Sequence, residues 1–234
     1  MTDRVPNLLA TILVGLATGI VIVSLSVLPF LTPQWVSFEQ GRADATSWTG
    51  FTRGELDQAT GAILSDLVFG PPAFDVAVRG QPVLDERERG HMRDVRAVFL
   101  GLWILTLGSI VGLAVAFRRL ARTTFWRGVR GGASVLAVGV VAAGIMSIVA
   151  FDTVFAVFHE LLFPGGTYTF DPATERLVQL FPFAFWQETA LVVGAVVLVL
   201  AAVVAIAADR RVRRRVLASV DGRAARAPVA EAPR

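Results

Sequence analysis

The chain contains neither cysteine nor lysine among its 234 residues, and it has only two histidines. Without cysteine no disulfide can form, and a mechanism through a cysteine acyl-enzyme is excluded. The sequence also lacks a Gly-x-Ser-x-Gly elbow and a phosphate-binding loop, which argues against serine hydrolases of that type and P-loop nucleotide hydrolases. Histidine is the side chain that most readily exchanges a proton near neutral pH, so attention falls on His91 and His159.

Long apolar segments dominate the composition. Hydrophobic residues make up 54% of the chain and the mean hydropathy is +0.62, values beyond those of an ordinary soluble domain. Four segments are long enough and poor enough in charge to predict membrane helices, at about residues 8–30, 97–117, 132–151 and 190–208. The first ends at Leu28-Pro29-Phe30-Leu31 without a small-x-small cleavage pattern, which predicts a retained anchor and not a removed signal.

Arginines predict the orientation of these spans. Two basic clusters follow spans two and four; they comprise Arg118, Arg119, Arg122, Arg127 and Arg130, and then Arg210, Arg211, Arg213, Arg214 and Arg215. By the positive-inside rule both clusters are cytoplasmic, which puts both termini inside and the loops at about 31–95 and 152–189 outside. The sequence pI near 10.7 thus reflects charges at helix ends, favouring contact with membrane lipid and no nucleic-acid partner.

The predicted fold class is an all-α membrane protein with four transmembrane helices and a partly helical extracytoplasmic loop domain between the first two. Residues 1–220 form a single membrane domain, and residues 221–234, rich in alanine, proline and arginine, are expected to be a disordered cytoplasmic tail.

The first outer loop carries two helix starts. Thr52 with Glu55 makes a capping box before an amphipathic stripe, which needs either the membrane surface or the tops of the bundle helices as a partner. A second such pattern, Asp85 with Glu88, opens a helix that can continue unbroken through His91 into span two. The aromatic and proline-rich segment 162–187 is typical of a loop at headgroup depth.

Both histidines are expected at one depth. His91 lies 27 positions before Arg118, and His159 lies 29 positions after Arg130. At about 1.5 Å per residue, each imidazole stands about 40 Å from the arginine that anchors the inner end of its helix. A hydrocarbon core of about 30 Å leaves both rings near the outer headgroups, where tight antiparallel packing of straight spans two and three can join them.

Three other readings of the histidines stay open. Both can be ordinary interfacial residues, comfortable at the headgroup level. They can join Asp94, Asp152 or Glu160 in a metal site, although no His-x-x-x-His spacing supports one. They can also ligate haem, although their position beyond the apolar core disfavours it. The sequence therefore predicts no metal and no cofactor.

Two segments resemble a known family at the level of residues. One is Gly90–Arg96, GHMRDVR. The other runs from Phe155–His159, FAVFH, through Phe170–Thr174, FDPAT, to Leu177–Pro182, LVQLFP. With four spans and the stretches 52–56 and 67–70, they resemble bacterial lipoprotein intramolecular transacylases over about residues 8 to 208. Tyr168 and Glu175 stand where relatives are expected to have tryptophan and aspartate.

The resemblance implies a reaction and a location. A diacylglyceryl lipoprotein at the outer leaflet of the bacterial cytoplasmic membrane passes one glycerol-ester acyl chain to the α-amino group of its own N-terminal cysteine, giving the lyso form. The functional histidines of the family correspond to His91 and His159.

The residues suit this chemistry independently of the resemblance. A histidine base can remove a proton from an α-amino group, and the amine and ester of one substrate need no enzyme nucleophile. We favour His91 as the base because Asp94 can orient it, with His159, Arg93 or Arg96 at the oxyanion; the two histidine roles can be exchanged. Asp152 is a further supporting candidate near the membrane edge. A non-enzymatic envelope scaffold or assembly factor is the main alternative class, ahead of a metal-dependent membrane enzyme.

Overall fold

The computed structural model describes residues 4–163 and 165–224, and this part of the chain is almost entirely helical. The elements follow in this order: α1 (Arg4–Val27), a 3-10 turn (Leu28–Leu31), α2 (Pro33–Arg42), α3 (Ala45–Thr49), α4 (Arg53–Val68), β1 (Ala77–Val78), β2 (Gln81–Pro82), α5 (Glu86–Arg119), α6 (Arg122–Leu162), α7 (Arg176–Leu180) and α8 (Phe183–Ala224).

Four of these helices, α1, α5, α6 and α8, are long and apolar enough to cross a membrane, which confirms the four predicted spans. Three of them are longer than predicted. At 34 and 41 residues, α5 and α6 measure about 50 and 60 Å, well beyond a hydrocarbon core of about 30 Å. Their ends therefore project past the membrane, and the two histidines lie on projecting ends.

Helix α1 is the centre of the bundle. It packs against α5, α6 and α8, while α6 packs most extensively against α8, and α5 touches α6 over only a short stretch. The expectation that spans two and three are tight neighbours is therefore wrong, because α1 lies between them for most of their length. The crossing of α1 and α6 is close at Gly132, where an added Cβ would lie 2.2 Å from the carbonyl oxygen of Gly15.

Both predicted capping boxes are confirmed. Thr52 accepts from the backbone N–H of Glu55 at the start of α4 while the Glu55 carboxylate accepts from Thr52. Asp85 and Glu88 exchange the same pair of hydrogen bonds at 2.8 Å each, and α5 then runs unbroken through His91 into its apolar part. These caps satisfy N–H groups that a helix start otherwise leaves open.

Residues 28–85, 163 and 165–182, with the adjoining ends of α5, α6 and α8, form what we call the head domain. Its core holds the apolar stripe of α4, including Leu56 and Ile63, together with Phe74, Leu180 and Phe185. The apolar stripe of α4 therefore packs against the ends of bundle helices, one of the two partners predicted for it from the sequence. Between β1 and β2, Arg79 and Gly80 both have positive φ, as a two-residue hairpin turn requires.

Helix α6 is not straight. Ala150 has φ −146° and ψ 54°, which is not helical, so the part of α6 that carries His159 takes a new direction. The assumption of two straight helices behind the depth estimate is thus wrong for α6. At the other end of the chain, α8 continues to Ala224, and residues 225–234 of the predicted tail lie outside the described residues.

Candidate active site

His91 lies on the first turns of α5 and is buried, with only 6% of its surface exposed. Its position is fixed from both sides along the helix. The capping box begins α5 at Asp85, and Met92, the next residue, packs into the head-domain core. The imidazole therefore stands on a rigid helix end with little freedom to move into solvent.

His159 lies on the redirected end of α6 and is half-buried. Its Nδ1 lies 2.8 Å from the backbone carbonyl oxygen of Phe155, one turn earlier. Because a carbonyl oxygen only accepts, Nδ1 must be the donor. In the neutral ring the proton is then on Nδ1, and Nε2 carries the free electron pair, the arrangement that a base requires.

The two imidazole rings lie close together. Their ring centroids are 6.3 Å apart and their planes differ by 25°. They do not hydrogen-bond each other within the described structure, but the separation lets both rings reach polar groups of one small reacting centre. The central expectation from the sequence, that two histidines distant along the chain share one place, is what the structure shows.

Aromatic rings enclose this pair. His91 contacts Phe163 and Phe170 edge-on at 4.9 and 5.4 Å between centroids. His159 contacts Phe155 at 3.9 Å and Tyr168 at 5.3 Å. Apolar surroundings favour the uncharged form of a buried imidazole, in which one ring nitrogen is a donor and the other an acceptor.

One nitrogen of the pair has unused hydrogen-bonding capacity. The Nδ1 atom of His91 is buried and has no hydrogen-bond partner among the described residues. A buried polar atom left unsatisfied costs about 1–3 kcal/mol, a cost that a bound polar group removes. His91 thus has an unpaired Nδ1, whereas His159 has a tautomer fixed by the protein and a free Nε2.

A segment after α6, residues 165–175, covers His91 and is fastened to α5. Arg87 donates to the carbonyl oxygen of Thr169 at 2.7 Å, pairs with the carboxylate of Glu175, and lies 4.7 Å above the ring of Phe170. Thr167 donates to Asp94 at 3.1 Å. Four contacts therefore hold the Phe170 ring in place against His91.

Glu88 supports the same arrangement from inside. Its buried carboxylate accepts from Asp85 N–H at 2.8 Å and from Leu177 N–H at 2.6 Å. It therefore joins the start of α5, one turn before His91, to the start of α7. The sequence indicated Glu88 only as half of a capping box; its second partner is 89 positions away and left no local signal.

The predicted supporting residues lie elsewhere than expected. Asp94 accepts from Thr167 and makes no hydrogen bond to His91. Arg93 donates to Glu86 at 3.0 and 3.1 Å, and Arg96 donates to the carbonyl oxygen of Asp66, so both guanidinium groups fasten the head domain and do not point at the imidazoles. Asp152 is exposed and contacts neither histidine.

An open cleft lies beside the pair and shares with it Phe163, whose ring contacts both imidazoles. It has a volume of about 480 Å³ and is lined by Asp94, Ala97 and Val98 of α5 and by Leu162, Phe163 and Gly165. Its lining comes from α5 where the predicted apolar span begins and from the end of α6.

Metal binding finds no support in the described side chains. Residues 4–163 and 165–224 contain no group of three or more histidines and carboxylates placed to hold a metal ion. Of the three carboxylates considered from the sequence, Asp94 accepts a hydrogen bond from Thr167, and Asp152 and Glu160 are exposed.

Four helices long and apolar enough to cross a membrane, a folded head domain and two neighbouring histidines beside an open cleft define an integral membrane protein with a polar site at one end of its bundle. The family model described as lipoprotein intramolecular transacylase Lit matches residues 11–186. The chain belongs to this family, and it is a multi-pass membrane protein.

Solved structures of the lipoprotein intramolecular transacylase Lit from Bacillus cereus have the same fold. One is 16% identical, with a TM-score of 0.75, over 90% of this chain and 98% of that chain. Two others, each carrying a substitution of one histidine, have the same identity and TM-score and cover 93% and 92% of this chain and 96% and 98% of theirs. No curated protein matches the sequence.

Proposed function

We propose that the protein moves an acyl chain from the glycerol ester of a diacylglyceryl lipoprotein to the α-amino group of the same lipoprotein's N-terminal cysteine. Family membership supports a lipoprotein intramolecular transacylase. The observation that carries the finer proposal is the meeting of His91 and His159, 6.3 Å apart, in an aromatic enclosure at the mouth of the apolar cleft.

The cleft accounts for a substrate with both lipid and peptide parts. Its apolar walls between α5 and α6 suit acyl chains that remain in the membrane. The head domain, with the segment 165–175 over His91, then lies above the glycerol and the amino group. On this proposal the site faces the extracytoplasmic side, with both chain termini in the cytoplasm, as the arginine clusters predict.

The reaction needs a base, a donor for the oxyanion and an acid. We assign the base to His159, because its Nδ1–H bond to Phe155 leaves Nε2 free to accept a proton from the substrate ammonium. The amine nitrogen then attacks the ester carbonyl, forming the C–N bond. The attacking nitrogen loses its second proton as the tetrahedral intermediate collapses to the amide. The ester C–O bond breaks, and this proton passes to the leaving glycerol oxygen, which becomes a free hydroxyl.

His91 is assigned to the oxygens of this intermediate. A neutral imidazole has one N–H, and no hydrogen bond within the described structure fixes its tautomer, so it can donate to the oxyanion or to the leaving oxygen. One well-placed donor of this kind contributes about 3 kcal/mol. This assignment exchanges the roles favoured from the sequence, because the hydrogen bonding of Asp94 removes the reason for preferring His91 as base.

Most of the rate enhancement would come from holding amine and ester together. Favourable intramolecular reactions gain roughly 7–11 kcal/mol from proximity and orientation alone. The enzyme then needs neither a nucleophile nor a covalent acyl-enzyme, in accord with the absence of cysteine.

Expression in a bacterial host that does not N-acylate its lipoproteins tests the proposal. Mass spectrometry of lipoprotein N-terminal peptides should then detect N-acyl, S-monoacylglyceryl forms of unchanged total acyl mass. Peptides that stay diacylglyceryl-modified with a free amine, despite membrane-inserted protein, would contradict it.

The same assay separates the alternatives. A scaffold would leave acylation unchanged, and a metal-dependent enzyme would lose conversion in membranes treated with a chelator and regain it on adding metal ions. We expect conversion to be insensitive to chelators. A haem protein would show a Soret band on purification.

A further inference from the structure

The loop after α4 presents an exposed aromatic ring. Phe69 is 89% exposed, the highest value for any large apolar side chain in the part of the chain that the structure describes. Pro71 and Pro72 follow it and are exposed as well. Together Phe69, Pro71 and Pro72 form an exposed apolar patch, and exposed apolar patches mark sites of contact with protein or membrane.

This loop is held in a defined shape. The N–H groups of Phe69 and Gly70 donate to the carbonyl oxygen of Ser65 at 2.9 and 2.7 Å, which closes the end of α4. The N–H of Phe74 donates to the Asp66 carboxylate at 2.8 Å on the far side of the loop. The exposure of Phe69 is therefore built into the fold and does not come from an unstructured tip.

Two arginines fasten the loop to α5 at the edge of its apolar part. Arg96 donates to the carbonyl oxygen of Asp66, and Arg93 donates to that of Pro72 at 3.4 Å. Arg96 directly precedes the predicted start of span two at residue 97. Towards the membrane the same helix face continues with exposed apolar side chains, Leu100, Ile104 and Leu107.

From this geometry we infer that the loop Phe69–Pro72 inserts into the lipid leaflet on the head-domain side, with Phe69 as its anchor. The loop continues a lipid-facing surface of α5, at the depth where aromatic side chains concentrate in membrane proteins. Arg93 and Arg96 lie beside it, where cations meet lipid phosphates. The partner is the bilayer itself, and the inference depends on the membrane spans alone, not on the proposed reaction.

A nitroxide label can measure this depth directly, because the chain has no cysteine of its own. The variant Phe69→Cys, spin-labelled in the full-length protein and reconstituted into phosphatidylcholine–phosphatidylglycerol nanodiscs, would take the label at one site. Since the ring of Phe69 is 89% exposed, its loss removes little protein packing. Pro71→Cys provides a second position in the same loop should Phe69→Cys express poorly.

The matched control is Asp75→Cys. The Asp75 side chain is 75% exposed and pairs with Arg89, seven positions or about 10 Å before Arg96 along α5. Power saturation should show the Phe69 label several-fold more accessible to dissolved oxygen than to a water-soluble nickel chelate, with the order reversed at Asp75.

Two results would overturn the inference. Nickel accessibility at Phe69 equal to that at Asp75 would put the loop in water. Protection of the Phe69 label from both reagents would show that protein, such as a second copy of the chain, covers the loop instead of lipid.

Discussion

Glu39 of α2 is a buried carboxyl group in the head domain that the proposed mechanism does not use. It is 1% exposed, and its Oε1 atom has no hydrogen-bond partner among the described residues. Burial raises the pKa of Glu39 to about 7, a second carboxyl group at Glu188 adds to the rise, and Arg42 opposes it. Near neutral pH Glu39 therefore exchanges its proton, and the folded protein favours its uncharged form.

The sign of the pH effect follows from this raised pKa. The folded state binds the proton more tightly than the unfolded chain, so the stabilising contribution is complete below the ordinary value of 4.5 and lost as pH rises through about 7. We expect Glu39→Gln, whose amide keeps a donor towards Glu188, to melt several degrees higher than wild type at pH 8 and at the same temperature at pH 4.5.

Thermal unfolding in detergent at the two pH values measures this difference. Asp75→Asn, at an exposed position, serves as the control and should show no pH-dependent gain. An equal shift for Glu39→Gln at both pH values would contradict a raised pKa.

The sequence pointed to His91 and His159 because the chain has no other histidine. Their similar predicted depth suggested that they converge, although the straight and tightly packed helices assumed for it were not found. Arg93, Arg96 and Asp94 could not be resolved in the same way, because residues spaced along one helix end face several directions. Only the fold shows that these side chains hold the head domain and the covering segment.

Among the elements, the crossing of α1 and α6 depends on small residues. At Gly132 an added Cβ would lie 2.5 Å from the Cα of Gly15 as well as 2.2 Å from its carbonyl oxygen, and both are backbone atoms that a side-chain rotation cannot move. Close approach of this kind is how membrane helices gain packing contacts without a hydrophobic driving force between them.

We therefore expect Gly132→Val to force α1 away from α6 and to destabilise the protein by at least about 1–3 kcal/mol. Gly139→Val, on the same helix where an added Cβ meets nothing within 4 Å, is the matched control and should be close to neutral. The fraction of monodisperse protein after graded heating in detergent reports the difference. Equal stability of the two variants would show that the crossing is not this tight.

Element prediction was accurate where the signal is local. Both capping boxes and all four spans follow from side chains within a few positions of one another. The break at Ala150 left no such signal, because alanine is a strong helix former and no proline or glycine adjoins it. The redirected end of α6 is set by packing around Phe151 and Phe155 that the sequence alone does not reveal.

For the whole molecule, helix order in the bundle was the main feature beyond the reach of sequence. Lipid-facing and helix-facing surfaces of a span are both apolar, so composition cannot tell which helices touch. The cleft lies between α5 and the end of α6, two helices that touch over only a short stretch because α1 packs against both.

The most direct test of the histidine pair is a double-mutant measurement of lyso-form production in membranes. His91→Ala and His159→Ala should each lower the conversion rate by about 10²–10⁴-fold, since each removes a proton-transfer or donor group. The double variant should be no slower than the slower single variant. If the two histidines act together, removing one already abolishes their shared function, and removing the other costs nothing more. Glu160→Gln, an exposed neighbour on α6, should convert at the wild-type rate with equal membrane insertion. Wild-type conversion by either single variant, or losses that multiply in the double variant, would contradict the account.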